Sequence, residues 1–154
     1  TTLLKLSMVS TNLSAAGATI LFQSVAKLDT LVELDVSSCE GLYRNKLGDG
    51  VIPFREILKS VETIHCLNFS GSSLSPEGFK AICQGVENNS SLASLLVGKN
   101  DIKEHMLCSV VPYLMTSHLS VLKLPKNSIQ DQGLIALSEV LGSASQRYPL
   151  AVKI

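Results

Sequence analysis

The chain has 154 residues, and its thirteen basic and thirteen acidic side chains give a formal net charge of zero. Because 45% of the residues are hydrophobic, the composition excludes an intrinsically disordered chain, which combines low hydrophobicity with high net charge. A neutral chain also lacks the broad basic surface that nucleic-acid binding requires, so we expect no nucleic-acid partner. Leu supplies 25 residues and aromatics only 5%, which indicates a repetitive aliphatic core.

Five segments repeat one pattern, Leu-x-x-Leu-x-Leu-x-x-Asn/Cys-x-Leu, with other aliphatic residues allowed at the Leu positions. In chain order they begin near residues 3, 31, 64, 92 and 119, at intervals of 28, 33, 28 and 27 residues. Each segment opens with alternating apolar and polar residues, as in Leu34-Asp35-Val36, and this alternation predicts a short strand. Alternation over residues 150–154 predicts a partial sixth strand.

A helix is predicted after each of the five strands. Ser75 and Pro76 combine a capping hydroxyl with a proline at the first helical position. In the last segment Leu134, Leu137 and Leu141 recur at helical spacing, which predicts one apolar face. Strand–helix units of this length must stack to bury their apolar faces. The predicted helices cover about 15–28, 51–61, 76–87, 103–116 and 131–143.

The five segments resemble leucine-rich repeats of the ribonuclease-inhibitor-like class over essentially the whole chain. The resemblance implies an α/β solenoid of about five repeats, with a parallel β-sheet on the concave side and α-helices on the convex side. That class has an Asn where the chain leaves each strand, and its side chain bonds to the backbone. Asn100 and Asn127 occupy this position, whereas Thr11, Cys39 and Ser72 replace it, so we expect less regular turns in the first three units.

The predicted repeat domain covers residues 1–154. Solenoids need polar caps at their ends, and neither end of this sequence has an obvious one. We therefore interpret the chain as part of a longer array.

Outward strand side chains are the usual binding surface of such arrays, and those between the consensus aliphatics form columns across the predicted sheet. Acids cluster at Glu33 and Asp35, and we expect Lys5 and Lys123 to flank them at a distance. No Trp, Tyr or Arg, the residues that dominate interface energetics, lies in these columns, so a merely solvated sheet face remains an alternative. The candidate protein-binding residues of this face are Glu33, Asp35, Asn68, Leu96 and Lys123.

The second unit is longer than the others, and its extra residues fall near 40–50. Insertions in repeat proteins form loops, and long loops often carry function. Tyr43, Arg44 and Lys46 are therefore candidate contacts to a protein partner. A tolerated surface insertion is the alternative, since longer loops cost little entropy.

Signals for catalysis or metal binding are poor, and no cofactor is predicted. His105 and Cys108 are three residues apart on a predicted helix, but a zinc site normally needs four ligands, and a nucleophile needs an orienting partner. We expect Cys108 to pack in the core and His105 to face solvent. Alternation sends His65 and Cys66 to opposite faces of a strand, so they cannot act as a pair.

We predict a non-enzymatic scaffold that binds a protein partner. The four Cys lack paired spacing, which favours free thiols in a reducing, cytoplasmic compartment. No window reaches the roughly 18 apolar residues of a membrane span, so membrane insertion is not expected. Cytoplasmic members of the class that the chain resembles include innate sensors and actin-assembly regulators, and residues 67–71 and 97–100 are similar to arrays of actin capping-protein regulators. The alternatives are a GTPase-activating array that uses Arg44, or a structural spacer in a larger protein.

Overall fold

The computed structural model describes residues 2–87, 89–144 and 150–154 and contains one six-stranded parallel sheet. Spatial strand order equals chain order, and every strand pairs in register with the next. The predicted α/β repeat solenoid is therefore confirmed, including a sixth strand. The strands are β1 (Lys5–Ser7), β2 (Glu33–Asp35), β3 (Cys66–Asn68), β4 (Ser94–Leu96), β5 (Val121–Lys123) and β6 (Ala151–Lys153).

A helix follows each of the first five strands. Four of these helices begin within one residue of the predicted start, and the second is the exception. There a 3₁₀ turn (Asp49–Val51) comes first and the α-helix has only seven residues. Two helices start where the sequence indicates, because Ser14 and Ser75 accept backbone N–H groups of the first turn through Oγ at 3.2 and 2.9 Å. The helices are α1 (Ala15–Val25), α2 (Phe54–Ser60), α3 (Pro76–Val86), α4 (Glu104–Met115) and α5 (Gln130–Ala144).

The core lies between the sheet and the helices. The central residues of β2 to β5 are Leu, and each is at most 1% exposed. Towards β1 and α2 the core also holds three stacked or edge-on phenylalanines, Phe22, Phe54 and Phe69, whose ring centroids lie 4.6 to 6.3 Å apart. Further buried Leu residues come from the helices and the segments between elements, as at Leu58, Leu107 and Leu31, so the repeated core accounts for the high Leu content.

Two predictions about helix faces are wrong. Leu134 and Leu141 are 44% and 40% exposed, and of the predicted trio only Leu137 is buried. The face of α5 that packs on the core instead carries Ala136, Leu137 and Val140, each at most 7% exposed. Cys108 is exposed rather than in the core, since the buried face of α4 falls on other residues. These are Met106, Leu107, Val110, Val111 and Leu114.

Asn45 holds the first two units together. It is fully buried, and all its side-chain bonds within 3.2 Å go to backbone groups. Asn100 and Asn127 make the same pattern of bonds in later units. The Asn45 Nδ2 donates to the carbonyls of Met8, Val36 and Ser37 at 2.8, 2.9 and 3.2 Å. The Asn45 Oδ1 accepts from the N–H groups of Thr11 and Leu13 at 3.1 and 2.8 Å.

This pattern corrects the alignment of the second unit. The consensus position belongs to Asn45 and not to Cys39. Contrary to expectation, an Asn therefore bonds the backbone in that unit as well, but additional residues separate it from the strand. Asn45 follows the last strand aliphatic, Val36, by nine positions, whereas the same step is three positions in the fourth and fifth units. The additional residues are therefore 39–44 rather than 40–50, and we call residues 39–44 the insertion loop.

Candidate functional site

The outward side chains of the strands form two columns across the sheet, which we call the strand face. The registers confirm the columns expected from the sequence. Backbone bonds continue the alignment beyond the strands, as from Ser38 N to Ser70 O and Lys99 N to Pro125 O. The columns are Lys5, Glu33, Cys66, Ser94, Val121 and Ala151, and Ser7, Asp35, Asn68, Leu96, Lys123 and Lys153.

Charge is ordered along the strand face. Both outward side chains of β2 are acidic, whereas β5 and β6 each carry one Lys in the second column. The strands between them, β3 and β4, carry only uncharged outward side chains. Since neighbouring strands lie roughly 4.8 Å apart, about 14 Å separates the acidic strand from the first basic one. The face therefore has a net acidic end at β1 and β2, where Lys5 offsets one of the two acids, and a basic end at β5 and β6.

At the acidic end, Lys5 is closer than the sequence suggested. Its Nζ lies 2.8 Å from Glu33 Oε2, so Lys5 does not flank the acids at a distance. The hydrogen bond to Glu33 raises the pKa of Lys5. Both side chains remain accessible, at 73% and 38% exposure, and exposed ion pairs contribute little to stability. Lys123, at the other end, makes no ion pair to any residue in the described ranges.

Asp35 and Asn68 are fixed by each other and by the backbone. Asn68 Nδ2 donates to Asp35 Oδ2 at 3.1 Å. The remaining oxygens, Asp35 Oδ1 and Asn68 Oδ1, accept the N–H groups of Ser37 and Ser70 at 2.9 and 3.1 Å. Polar groups held in this way lose little entropy when a partner binds.

Cys66 lies between these acids and the rest of the face, and its environment disfavours a reactive thiolate. Burial, followed by the charges of Glu33 and Asp35, raises the pKa of this thiol. Because the thiolate is the nucleophilic form, Cys66 is poorly suited to covalent chemistry. All four cysteines are free thiols: Cys39, Cys66, Cys83 and Cys108.

The insertion loop has a held base and an exposed tip. At its start Cys39 N–H donates to Ser10 Oγ at 2.8 Å, and immediately beyond its end the N–H of Asn45 donates to Ser38 Oγ at 2.7 Å. At the tip Leu42 is 93% and Tyr43 69% exposed. The loop thus presents an apolar and an aromatic side chain directly to solvent.

The loop also crosses over a neighbouring unit. Glu40 Oε1 lies 3.1 Å from Lys99 Nζ, and the hydrogen bond to Lys99 lowers the pKa of the Glu40 carboxyl. Lys99 belongs to the fourth unit, where Asn100 Nδ2 donates to three carbonyls and orders the turn. Lys99 and Asp101 on either side of Asn100 adopt left-handed backbone conformations, with φ of 55° and 56°. The turn and the loop therefore meet side by side.

A cleft of about 380 Å³ lies between the insertion loop and the start of α4. Three cationic side chains, Arg44, Lys99 and Lys103, line it with a single carboxylate, Asp101, and with His105. We call it the basic cleft. Its remaining lining residues are Ser73, Leu74, Pro76, Asn100 and Met106.

Of the three loop residues predicted to contact a partner, two lie at or beside the basic cleft and one lies outside it. Arg44 lines the basic cleft and Tyr43 lies beside it on the insertion loop. Lys46 is exposed but lies beyond Asn45, outside the loop and the cleft lining, and its N–H donates to Leu13 O. Sequence reasoning missed Lys99 and Lys103, although both flank the Asn100 turn that the repeat pattern identifies.

Other chemistry has little support in the described part of the chain. Among residues 2–87, 89–144 and 150–154, no three His, Cys, Asp or Glu side chains are grouped closely enough to hold a metal ion. In the same ranges, no helix combines the length and apolar character of a membrane span.

A family model described as Leucine Rich repeat matches residues 117–138, which run from just before β5 into the first half of α5. No curated protein matches the chain. Together with six parallel strands in register and an Asn that bonds the backbone in three units, the match identifies the architecture as a leucine-rich repeat solenoid.

Proposed function

We propose that this leucine-rich repeat solenoid is a non-enzymatic scaffold that binds a protein partner across its strand face. The observation that carries the proposal is the order of charge on that face, which is net acidic over β1 and β2, where Lys5 pairs with one of the two acids, and basic on β5 and β6. A complementary partner would lie across the strands, with a basic group over β2 and an acidic group about 14 Å away. Repeat arrays of this type generally mediate protein–protein interaction.

Affinity and orientation would come from different parts of the face. Leu96 and Val121 are half-buried apolar side chains near its middle, and covering them would remove apolar surface from water. The flanking charges would set which way round the partner lies, because charges at the rim of an interface steer association more than they add affinity.

The insertion loop supports a second contact with the same partner. Leu42 and Tyr43 protrude from a base that hydrogen bonds hold at both ends. Tyr is favoured in interfaces because it supplies a large contact area for few rotatable bonds.

A ribonuclease-inhibitor-like class and a cytoplasmic setting belong to the same proposal. Units of about 28 residues that carry α-helices of 11 to 15 residues in four of five cases support the class. Four free thiols support a reducing compartment. Within that setting, a role in actin-assembly regulation or innate sensing is what the resemblance suggests.

The test compares two charge-reversed forms of the chain as immobilised bait. The strand-face variant carries Lys123→Glu and Lys153→Glu, and the matched control carries Lys59→Glu and Lys80→Glu on the exposed surfaces of α2 and α3. Quantitative mass spectrometry of proteins captured from cytosol should find a protein that the unmodified chain and the control retain and the strand-face variant loses. The interaction is then measured with the purified pair by calorimetry.

Capture that the strand-face variant keeps unchanged would refute binding through this face. Loss in both variants would indicate non-specific charge attraction instead, and would equally contradict the proposal.

A further inference from the structure

The basic cleft has features of a built anion site that the strand face does not share. Arg44 makes no hydrogen bond or ion pair to any residue in the described part of the chain. Its planar guanidinium suits two-pronged contact with a carboxylate or phosphoryl group. Alongside the hydrogen bond from Lys99, the charge of Arg44 contributes to lowering the pKa of the exposed Glu40 carboxyl, but no carboxylate in the described part of the chain is bonded to the guanidinium, so its donors are available for an incoming anion.

The two lysines of the cleft are held only weakly. Lys99 Nζ is 3.1 Å from Glu40 Oε1, but the Glu40 side chain is 85% exposed. Lys103 Nζ is 3.9 Å from Asp101 Oδ2, at the outer limit of an ion pair, and both side chains are more than half exposed. Because exposed pairs of this kind contribute little, an anion in the cleft can compete for both ammonium groups.

The start of α4 faces the same space. Its N-cap residue is Lys103, whose side chain has no acceptor atom, and within the described ranges the N–H of Lys103 meets only the Met106 sulfur, at 3.5 Å. In α1 and α3 the corresponding position is a Ser that accepts a first-turn N–H group. The first turn of α4 also carries Glu104, whose carboxylate offsets the positive end of the helix dipole, so the cluster of cationic side chains in the cleft carries the argument.

We propose that the basic cleft binds an anionic side chain, a carboxylate or a phosphoryl group, of the polypeptide partner. At about 380 Å³ the cleft lies in the size range of small-ligand sites and accommodates one such side chain with adjoining backbone. Leu42 and Tyr43 on the adjoining loop would contact the residues that flank the anion. The inference extends the proposed protein-binding function, and it adds the chemistry of one recognised group.

The test needs no partner, so it is independent of capture through the strand face. Backbone amide shifts of the ¹⁵N-labelled chain are followed by NMR during titration with four probes. These are inorganic phosphate and the blocked tripeptides Gly-phosphoSer-Gly, Gly-Glu-Gly and Gly-Ser-Gly. We expect saturable shifts confined to residues 99–106 and the insertion loop with the charged tripeptides and none with the neutral one. The charged tripeptide that binds more tightly identifies whether the cleft recognises a phosphoryl group or a carboxylate.

Two variants test the side chains. Arg44→Met should weaken binding of the charged tripeptide about tenfold or more, because hydrogen bonds to charged groups contribute about 1.5–3 kcal/mol. Arg55→Met on α2, where Arg55 pairs with Glu56 at 2.8 Å, is the matched control and should bind as the unmodified chain does. The Arg44 side chain is exposed and unpartnered, so the variant should retain the amide spectrum of the folded chain.

Three results would overturn the inference: shifts that spread over lysines throughout the surface, binding that Arg44→Met leaves unchanged, and binding of inorganic phosphate with no binding of either charged tripeptide. The last would assign the cleft to a free anion. If no probe binds the cleft but partner capture depends on Lys123 and Lys153, the inference fails and the strand-face function stands. If the charged tripeptides bind the cleft but capture does not depend on these two lysines, only the strand-face function fails.

Discussion

Replacing Asn45 with Ala tests whether this residue, outside the apparent repeat pattern, joins the first two units. The side chain accepts two backbone N–H groups, those of Thr11 and Leu13, at 3.1 and 2.8 Å. It also donates to the carbonyls of Met8, Val36 and Ser37. Each of these keeps another donor, namely Thr11 Oγ1, Ser72 Oγ and Ser10 N respectively. The cost of the substitution therefore falls mainly on the two N–H groups.

The magnitude follows from those two donors. Neither N–H has another acceptor among the described residues, and an unsatisfied buried donor costs about 1–3 kcal/mol. Both bonds are only part-buried and Thr11 is exposed, so the lower end of that range applies, about 1 kcal/mol each, and Asn45→Ala should lower the free energy of unfolding by about 2 kcal/mol. A loss of this size is a substantial part of the free energy of unfolding of a folded domain, which is typically about 5–15 kcal/mol.

The control is Cys39→Ala, at the position where the consensus spacing first suggested the equivalent residue. Cys39 is exposed, so its substitution should change the free energy of unfolding by less than about 0.5 kcal/mol. Urea unfolding followed by circular dichroism at 222 nm gives the free energy of unfolding of both variants. The values are compared if the dependence on urea concentration, the m-value, is the same for each variant. Hydrogen exchange at Thr11 and Leu13 should accelerate in the Asn45 variant.

The reasoning fails if Asn45→Ala costs less than about 1 kcal/mol, well below the penalty for two unsatisfied donors. It fails equally if Cys39→Ala costs as much as Asn45→Ala. Either result would mean that the hydrogen bonds of Asn45 do not hold the units together.

Two further substitutions and one chemical reaction test the packing. An added Cβ at Gly50 would lie 2.1 Å from Ala15 O, so Gly50→Ala should destabilise the chain by at least about 1–3 kcal/mol in urea unfolding; an unchanged midpoint would contradict the close packing of the 3₁₀ turn on α1. Among the described residues, no atom beyond the chain neighbours and the α5 backbone lies within 4 Å of a Cβ added at Gly142, so Gly142→Ala should stabilise α5 by up to about 1 kcal/mol in the same assay because Ala favours a helix more than Gly does, and destabilisation would contradict this. Burial raises the pKa of the Cys83 thiol, which disfavours the reactive thiolate. A disulfide reagent should therefore modify exposed Cys39 in the native chain and Cys83 only after unfolding. Fast labelling of Cys83 in the native chain would contradict its burial.

Local patterns in the sequence predicted most of the architecture. Alternation around Leu34 and Leu122 predicted strands because successive strand side chains point to opposite faces. Ser75 predicted the start of α3 because its hydroxyl replaces the missing acceptor of a first-turn N–H group. Because these signals depend on neighbours in sequence, the strand registers and most helix positions agreed with expectation.

Positions that depend on how units stack were predicted less well. Leu134 matched the spacing of an apolar helix face but is exposed, because the face of α5 that packs on the core runs through Ala136, Leu137 and Val140 instead. Cys108 was expected in the core and faces outward for a similar reason. An Asn-x-Leu triplet at 45–47 marked the true turn of the second unit, but it lies too far from the strand for a fixed spacing to find.

The sequence by itself determined the repeat, the strand–helix alternation and the columns of the strand face, because each follows from a period of two or of about 3.6 residues along one segment. Only the tertiary structure decided what those segments bring together. Lys5 meets Glu33 across neighbouring strands, and Arg44 lines a cleft with Lys99 and Lys103, more than fifty residues along the chain. Such contacts are set by the stacking distance between units and by the path of an insertion across them, and no local pattern records either.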